Sequence, residues 1–114
     1  MKILVVDDAM YMRRGLSEKL MKLGHNVIEA QDGEEAVQKS HNERPDMVFI
    51  DIVMPKMDGL TAIKLLRKEF EGKIVVYTAN FSKNLLIEAL MAGASEYLIK
   101  PYDDSRIEAA VNNF

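Results

Sequence analysis

Ile3-Leu4-Val5-Val6-Asp7-Asp8 is the stretch that decides the fold. Four apolar residues, three of them β-branched, run without a polar break and then meet two aspartates. A strand with one wet face alternates apolar and polar residues; an unbroken run reads as a strand covered on both faces. The pattern recurs. Met47 to Ile50 precedes Asp51 and follows Pro45, which blocks helix; Ile74 to Tyr77 precedes Thr78; Tyr97 to Ile99 precedes Lys100 and Pro101. Val27-Ile28 is a shorter, weaker member of the series.

Between these runs the apolar residues recur at helical spacing. Met12, Leu16, Leu20 and Leu23 form one stripe, closed by Gly24. Gly33 to about Ser40 reads as a second helix, with Glu34 and Glu35 supporting its start. Leu60, Ile63, Leu66 and Phe70 mark a third, Leu86 to Met91 a fourth that closes at Gly93, and Ile107, Val111 and Phe114 a fifth. Strands alternating with helices predict an α/β fold, a doubly wound, five-stranded parallel sheet in three α/β/α layers. Ligands of such folds bind beyond the carboxyl ends of the strands.

Composition narrows the function. A length of 114 residues suits one unit, 1–114, and the 48% apolar fraction supports a core. The net charge of −3 argues against a general nucleic-acid binder. The absence of cysteine excludes disulfides and thiol chemistry, and fits a cytoplasmic location. The first apolar run is too short for a signal peptide, and no stretch is long enough to span a membrane.

Asp7, Asp8, Asp51, Thr78 and Lys100 all fall just past apolar runs, so the fold brings three carboxylates, a hydroxyl and an amine to one rim. Crowded carboxylates call for a cation, and oxygen ligands without His or Cys suit Mg²⁺. Metal, lysine and a carboxylate nucleophile are the equipment of phosphoryl transfer through an aspartyl phosphate. Each residue alone has a plainer reading. An Asp pair after a strand is often a turn or cap, and a terminal Thr or Lys is ordinary surface. The agreement of four strand ends carries the argument. His25 and His41, away from strand ends, are expected on the surface, with His41 a remote candidate for a phosphate relay. Met10, Met12, Met54 and Met57 are expected in core or loop packing.

Val5-Val6-Asp7-Asp8, the run Asp51-Ile52-Val53-Met54-Pro55-Lys56-Met57-Asp58-Gly59, Thr78-Ala79 and Lys100-Pro101 together resemble the signature of response-regulator receiver domains, over essentially the whole chain. The resemblance implies a flavodoxin-like strand order 2-1-3-4-5. It implies Asp51 as acceptor of phosphate from a histidine kinase or phosphotransfer protein. It implies Mg²⁺ on Asp7, Asp8, Asp51 and the Val53 backbone carbonyl, with Asp8 the more direct ligand of the first pair. Thr78 and Lys100 would bind phosphoryl oxygens, Tyr97 would switch with Thr78, and the Lys100–Pro101 bond would be cis. The output surface would run from Ser82 through Arg106 toward a downstream protein such as a flagellar switch, without direct contact to nucleic acid or membrane. Met12-Arg13-Arg14 and Glu29 to Gly33 look most like single-domain chemotaxis receivers of the CheY type, from which Val53 departs by being apolar where they often carry a polar side chain.

Such a chain is a phosphoacceptor switch rather than an enzyme. Three rivals stand beside it. A phosphatase of the haloacid dehalogenase type would carry Asp-x-Asp after its first strand, where Ala9 stands here two places after Asp7, and would need room for a substrate cap. A pseudo-receiver would dock partners without accepting phosphate. A receiver cut from a regulator with a DNA-binding output would look the same over these residues.

Overall fold

A computed structural model describes residues 1–53, 58–79, 82–100 and 103–112. Strands and helices alternate throughout: β1 (Lys2–Val6), α1 (Met10–Lys22), β2 (Asn26–Ala30), α2 (Gly33–Glu43), β3 (Met47–Ile50), α3 (Gly59–Leu66), β4 (Lys73–Thr78), α4 (Lys83–Ala92), β5 (Glu96–Ile99) and α5 (Asp104–Asn112). The five strands form one parallel sheet in the order β2-β1-β3-β4-β5. This is the doubly wound arrangement expected. The order in which strands are added to the sheet reverses between β1 and β3, and the ends of those two strands carry Asp7 and Asp51.

Side-chain alternation divides the core in two. Leu4, Val6, Val48, Ile50, Ile74 and Val76 face α2, α3 and α4, meeting Ala36, Ile63 and Ala89. Ile3, Val5, Met47, Phe49, Val75 and Tyr77 face α1 and α5, meeting Leu16, Leu20, Ile107 and Val111. All twelve strand residues are 0% exposed, which is why their runs show no polar break.

Local chemistry fixes the helix ends. The side chains of Asp32, Asp58 and Ser82 accept hydrogen bonds from the backbone N–H groups of Glu35, Thr61 and Leu85, satisfying donors that the first turn leaves unpaired. Gly93 closes α4 at φ 124°, a conformation only glycine adopts without strain. Gly59 starts α3 against the sheet so tightly that a Cβ would lie 2.3 Å from the Ile52 Cα and 2.8 Å from the Asp51 carbonyl oxygen.

Several expectations need correction. The second strand is not limited to Val27-Ile28 but runs from Asn26 to Ala30. It lies at the sheet edge, where partial burial lets Asn26 and Glu29 interrupt the apolar pattern. The second helix continues past Ser40 to Glu43 and ends on Arg44 in the left-handed region, φ 51°. Leu23 caps α1 half in solvent rather than completing its stripe, and Met10 is 64% exposed rather than packed. Met54, Met57, Phe114 and the Lys100–Pro101 bond lie outside the described residues. No helix among the described residues is long and apolar enough to cross a membrane.

Candidate functional site

Strand register lines up the rim. Val6 pairs with Ile50 and Ile50 with Val76, so the next step brings Asp7, Asp51 and Tyr77 abreast on the face shared with Val5 and Phe49. The ladder continues past the strand ends, since the Asp51 N–H donates to the Val6 carbonyl at 3.0 Å and the Lys100 N–H to the Thr78 carbonyl at 2.8 Å. Lys100 then folds back across the sheet. Its Nζ donates to Asp7 Oδ2 at 3.0 Å and to Asp51 Oδ2 at 3.1 Å. One ammonium therefore bridges two carboxylates that come from different strands.

The remaining carboxylate oxygens are also held. Asp7 Oδ1 accepts from the Ala9 N–H at 3.0 Å, and Asp51 Oδ1 from the Val53 N–H at 3.0 Å. Asp7 is fully buried, Asp51 nearly so, and Asp8 exposed. Each of the three offers an oxygen within 4.8 Å of the others. An all-oxygen cluster with one exposed member is open to a small hard cation that keeps part of its hydration shell.

Thr78 and Tyr97 occupy the other face. Val76 pairs with Tyr97 and Thr78 with Ile99, which puts Thr78 and Tyr97 on the α2–α4 side. Thr78 is buried, while Tyr97 is half-buried and packs against the core there. Burial, and then the negative charge of Asp51, push the Tyr97 phenol above its ordinary pKa. Val53 stands at the rim with half its surface in solvent.

Sequence reasoning passed over two supports. Arg13 donates from Nη1 to the Asp7 carbonyl and from Nε to Glu29 Oε1, both at 2.8 Å, tying the β1–α1 turn to the edge strand. Its spacing one turn into the helix was the available signal. Tyr77 places its ring beneath Lys100, with Nζ 4.6 Å from the centroid; nothing in an apolar run distinguishes it. The histidines lie outside the cluster. His41 is exposed and pairs with Glu69 at 2.8 Å, a contact that holds the Glu69 carboxyl below its usual range. His25 is half-buried beside the amine of Met1, and burial lowers its pKa.

The chain is similar to known proteins in sequence and in fold. The family model of the response regulator receiver domain matches residues 3–112. The chemotaxis protein CheY of Thermotoga maritima is 42% identical over 113 residues, 97% of this chain and 94% of that protein. CheY of Bacillus subtilis is 38% identical over the same shares. The solved CheX–CheY–BeF₃–Mg²⁺ complex of Borrelia burgdorferi superposes with a TM-score of 0.92 at 32% identity, covering 99% of this chain and 87% of that one.

Proposed function

Since the chain belongs to the response regulator receiver family, and is CheY-like within it, we propose that it is a Mg²⁺-dependent phosphorylation switch with Asp51 as acceptor. The observation that carries this is the Lys100 ammonium held between Asp7 and Asp51 within a three-carboxylate cluster. A fixed cation beside a carboxylate at an open rim suits a nucleophile that must meet a phosphoryl group laden with negative charge.

An oxygen of Asp51 attacks the phosphorus of a phosphohistidine on a kinase or phosphotransfer protein. The P–N bond breaks, its electron pair leaves on the imidazole nitrogen, and Asp51 becomes an acyl phosphate. Asp7, Asp8, Asp51 and the Val53 carbonyl would hold Mg²⁺, which supplies charge neutralisation to the transferring group. Lys100 donates a remaining N–H to a phosphoryl oxygen, and Thr78 donates to another.

The signal then passes to the opposite face. Thr78 moving toward the phosphoryl group vacates space that Tyr97, on the adjacent strand, can fill. The partner-binding surface runs from Ser82 through Arg106, where Ile87, Leu90 and Met91 stand exposed on α4. Similarity to the two chemotaxis proteins supports a chemotaxis target such as a flagellar switch, and the Borrelia CheY captured with CheX supports a protein partner.

Acetyl phosphate with Mg²⁺ should add one phosphoryl group, removable by hydroxylamine and absent from Asp51→Asn. Modification that persists in Asp51→Asn moves the acceptor elsewhere. Continuous turnover of a phosphate ester would favour a phosphatase. Thr78→Ala should still accept phosphate while losing the coupled change at Tyr97.

A further inference from the structure

The last inward position of β4 asks only for an apolar side chain, yet it holds a tyrosine. Tyr77 is 0% exposed. A phenol in a dry core needs a partner for its hydroxyl, and Tyr77 reaches across β3 to donate to the Val6 carbonyl at 3.3 Å. Phe49 meets the ring edge-on, at 6.3 Å between centroids and 67° between planes. Hydroxyl and edge contacts together fix the plane of the ring. The face so presented lies under the Lys100 ammonium, 4.6 Å from Nζ.

A lysine ammonium is a compact charge on a flexible stem, and two carboxylates do not by themselves fix its height above the sheet. The ring supplies that constraint. Its quadrupole attracts the cation most strongly where water is scarce, and the Lys100 side chain is only 9% exposed. The attraction also consumes no N–H. An ammonium has three donors; Asp7 and Asp51 take two, and a ring below leaves the third for the rim. A carbonyl or carboxylate in the place of the ring would take that donor away.

We infer that Tyr77 is a positioning residue for Lys100, holding the ammonium level with Asp7 and Asp51 and keeping one N–H for an incoming phosphoryl oxygen. This rests on Asp51 being the acceptor. The hydroxyl bond to Val6 serves the ring, not the chemistry.

Tyr77→Phe keeps the ring face, Tyr77→Leu removes it, and both can be read in the wild-type and Lys100→Met backgrounds. In NMR spectra without phosphodonor, the Lys100 Cε protons should be shifted upfield by the ring in wild type and Tyr77→Phe, and not in Tyr77→Leu. At fixed acetyl phosphate and excess Mg²⁺, Tyr77→Leu should slow phosphorylation on the order of tenfold. Tyr77→Phe should restore most of the rate. With Lys100→Met already present, Tyr77→Leu should slow it no further. A general packing defect would instead lower the rate by the same factor in both backgrounds. A wild-type chain that takes no phosphoryl group overturns the Asp51 reading. Lys100 proton shifts unchanged in Tyr77→Leu, or equal rate losses with and without Lys100, overturn the role of Tyr77.

Discussion

Replacing Lys100 by methionine keeps the stem and deletes the charge that bridges Asp7 and Asp51. The side chains involved are 9%, 0% and 12% exposed, so solvent screens them little. At 3.0 and 3.1 Å each contact carries a gross attraction of about 5 kcal/mol with an effective dielectric constant of about 20. Desolvation of the ammonium offsets a large part, and deleting one partner of a buried pair costs about 3–5 kcal/mol net. The carboxylates left behind, with oxygens within 4.8 Å of one another, repel by about 3.5 kcal/mol per pair on the same scale. A domain of ordinary stability, about 5–15 kcal/mol, would become marginal. Mg²⁺ should then bind on the order of tenfold more tightly, because no fixed cation opposes it, and so recover about 1.4 kcal/mol of the loss. Urea denaturation followed by circular dichroism, in EDTA and in excess MgCl₂, measures both quantities. A cost below about 1 kcal/mol in EDTA, or one that Mg²⁺ leaves unchanged, would refute the reasoning.

Asp8→Ala should weaken Mg²⁺ binding by calorimetry at least tenfold or so, while metal-free stability stays level or rises slightly, since the exposed Asp8 contributes only repulsion; unchanged affinity removes Asp8 from the ligand set. Gly59→Ala should destabilise by at least about 2 kcal/mol, because the new Cβ meets backbone rather than a flexible side chain, and should slow phosphorylation by shifting the Asp51 loop; a neutral thermal melt would contradict that. The Tyr97 phenol, followed by ¹³Cζ NMR, should titrate above its ordinary value of 10.0, and Asp51→Asn should lower it only part-way, since burial is the larger cause. The folded chain favours the neutral phenol, so the stability this contributes is complete below pH 10.0 and is lost as pH rises through the raised value. Tyr97→Phe should accordingly blunt the alkaline loss of stability, and an unaltered alkaline limb would argue against it.

Much of the molecule is legible in one dimension because its rules are local. An unbroken run such as Ile3 to Val6 marks a strand buried on both faces, and helical spacing marks its neighbours. The α/β alternation and the crowding of Asp7, Asp8, Asp51, Thr78 and Lys100 at one rim follow from those runs. The signature around Asp51 adds the family. The signal fades where burial is partial. Edge strand β2 carries Asn26 and Glu29 and so reads shorter than it is, and the left-handed Arg44 gives no glycine to mark the end of α2.

Contacts across the sheet were decided only by tertiary structure. Position along the chain puts Lys100 at a strand end but not between Asp7 and Asp51, which lie 93 and 49 residues away in sequence. Nor does it say that Tyr77 stands abreast of Asp51, or that Thr78 and Tyr97 share the opposite face. Those facts depend on strand order and register, and a slip of one residue would send each side chain to the other side of the sheet. Periodicity records which residues want burial; register, set by the packing of the whole core, decides which of them meet.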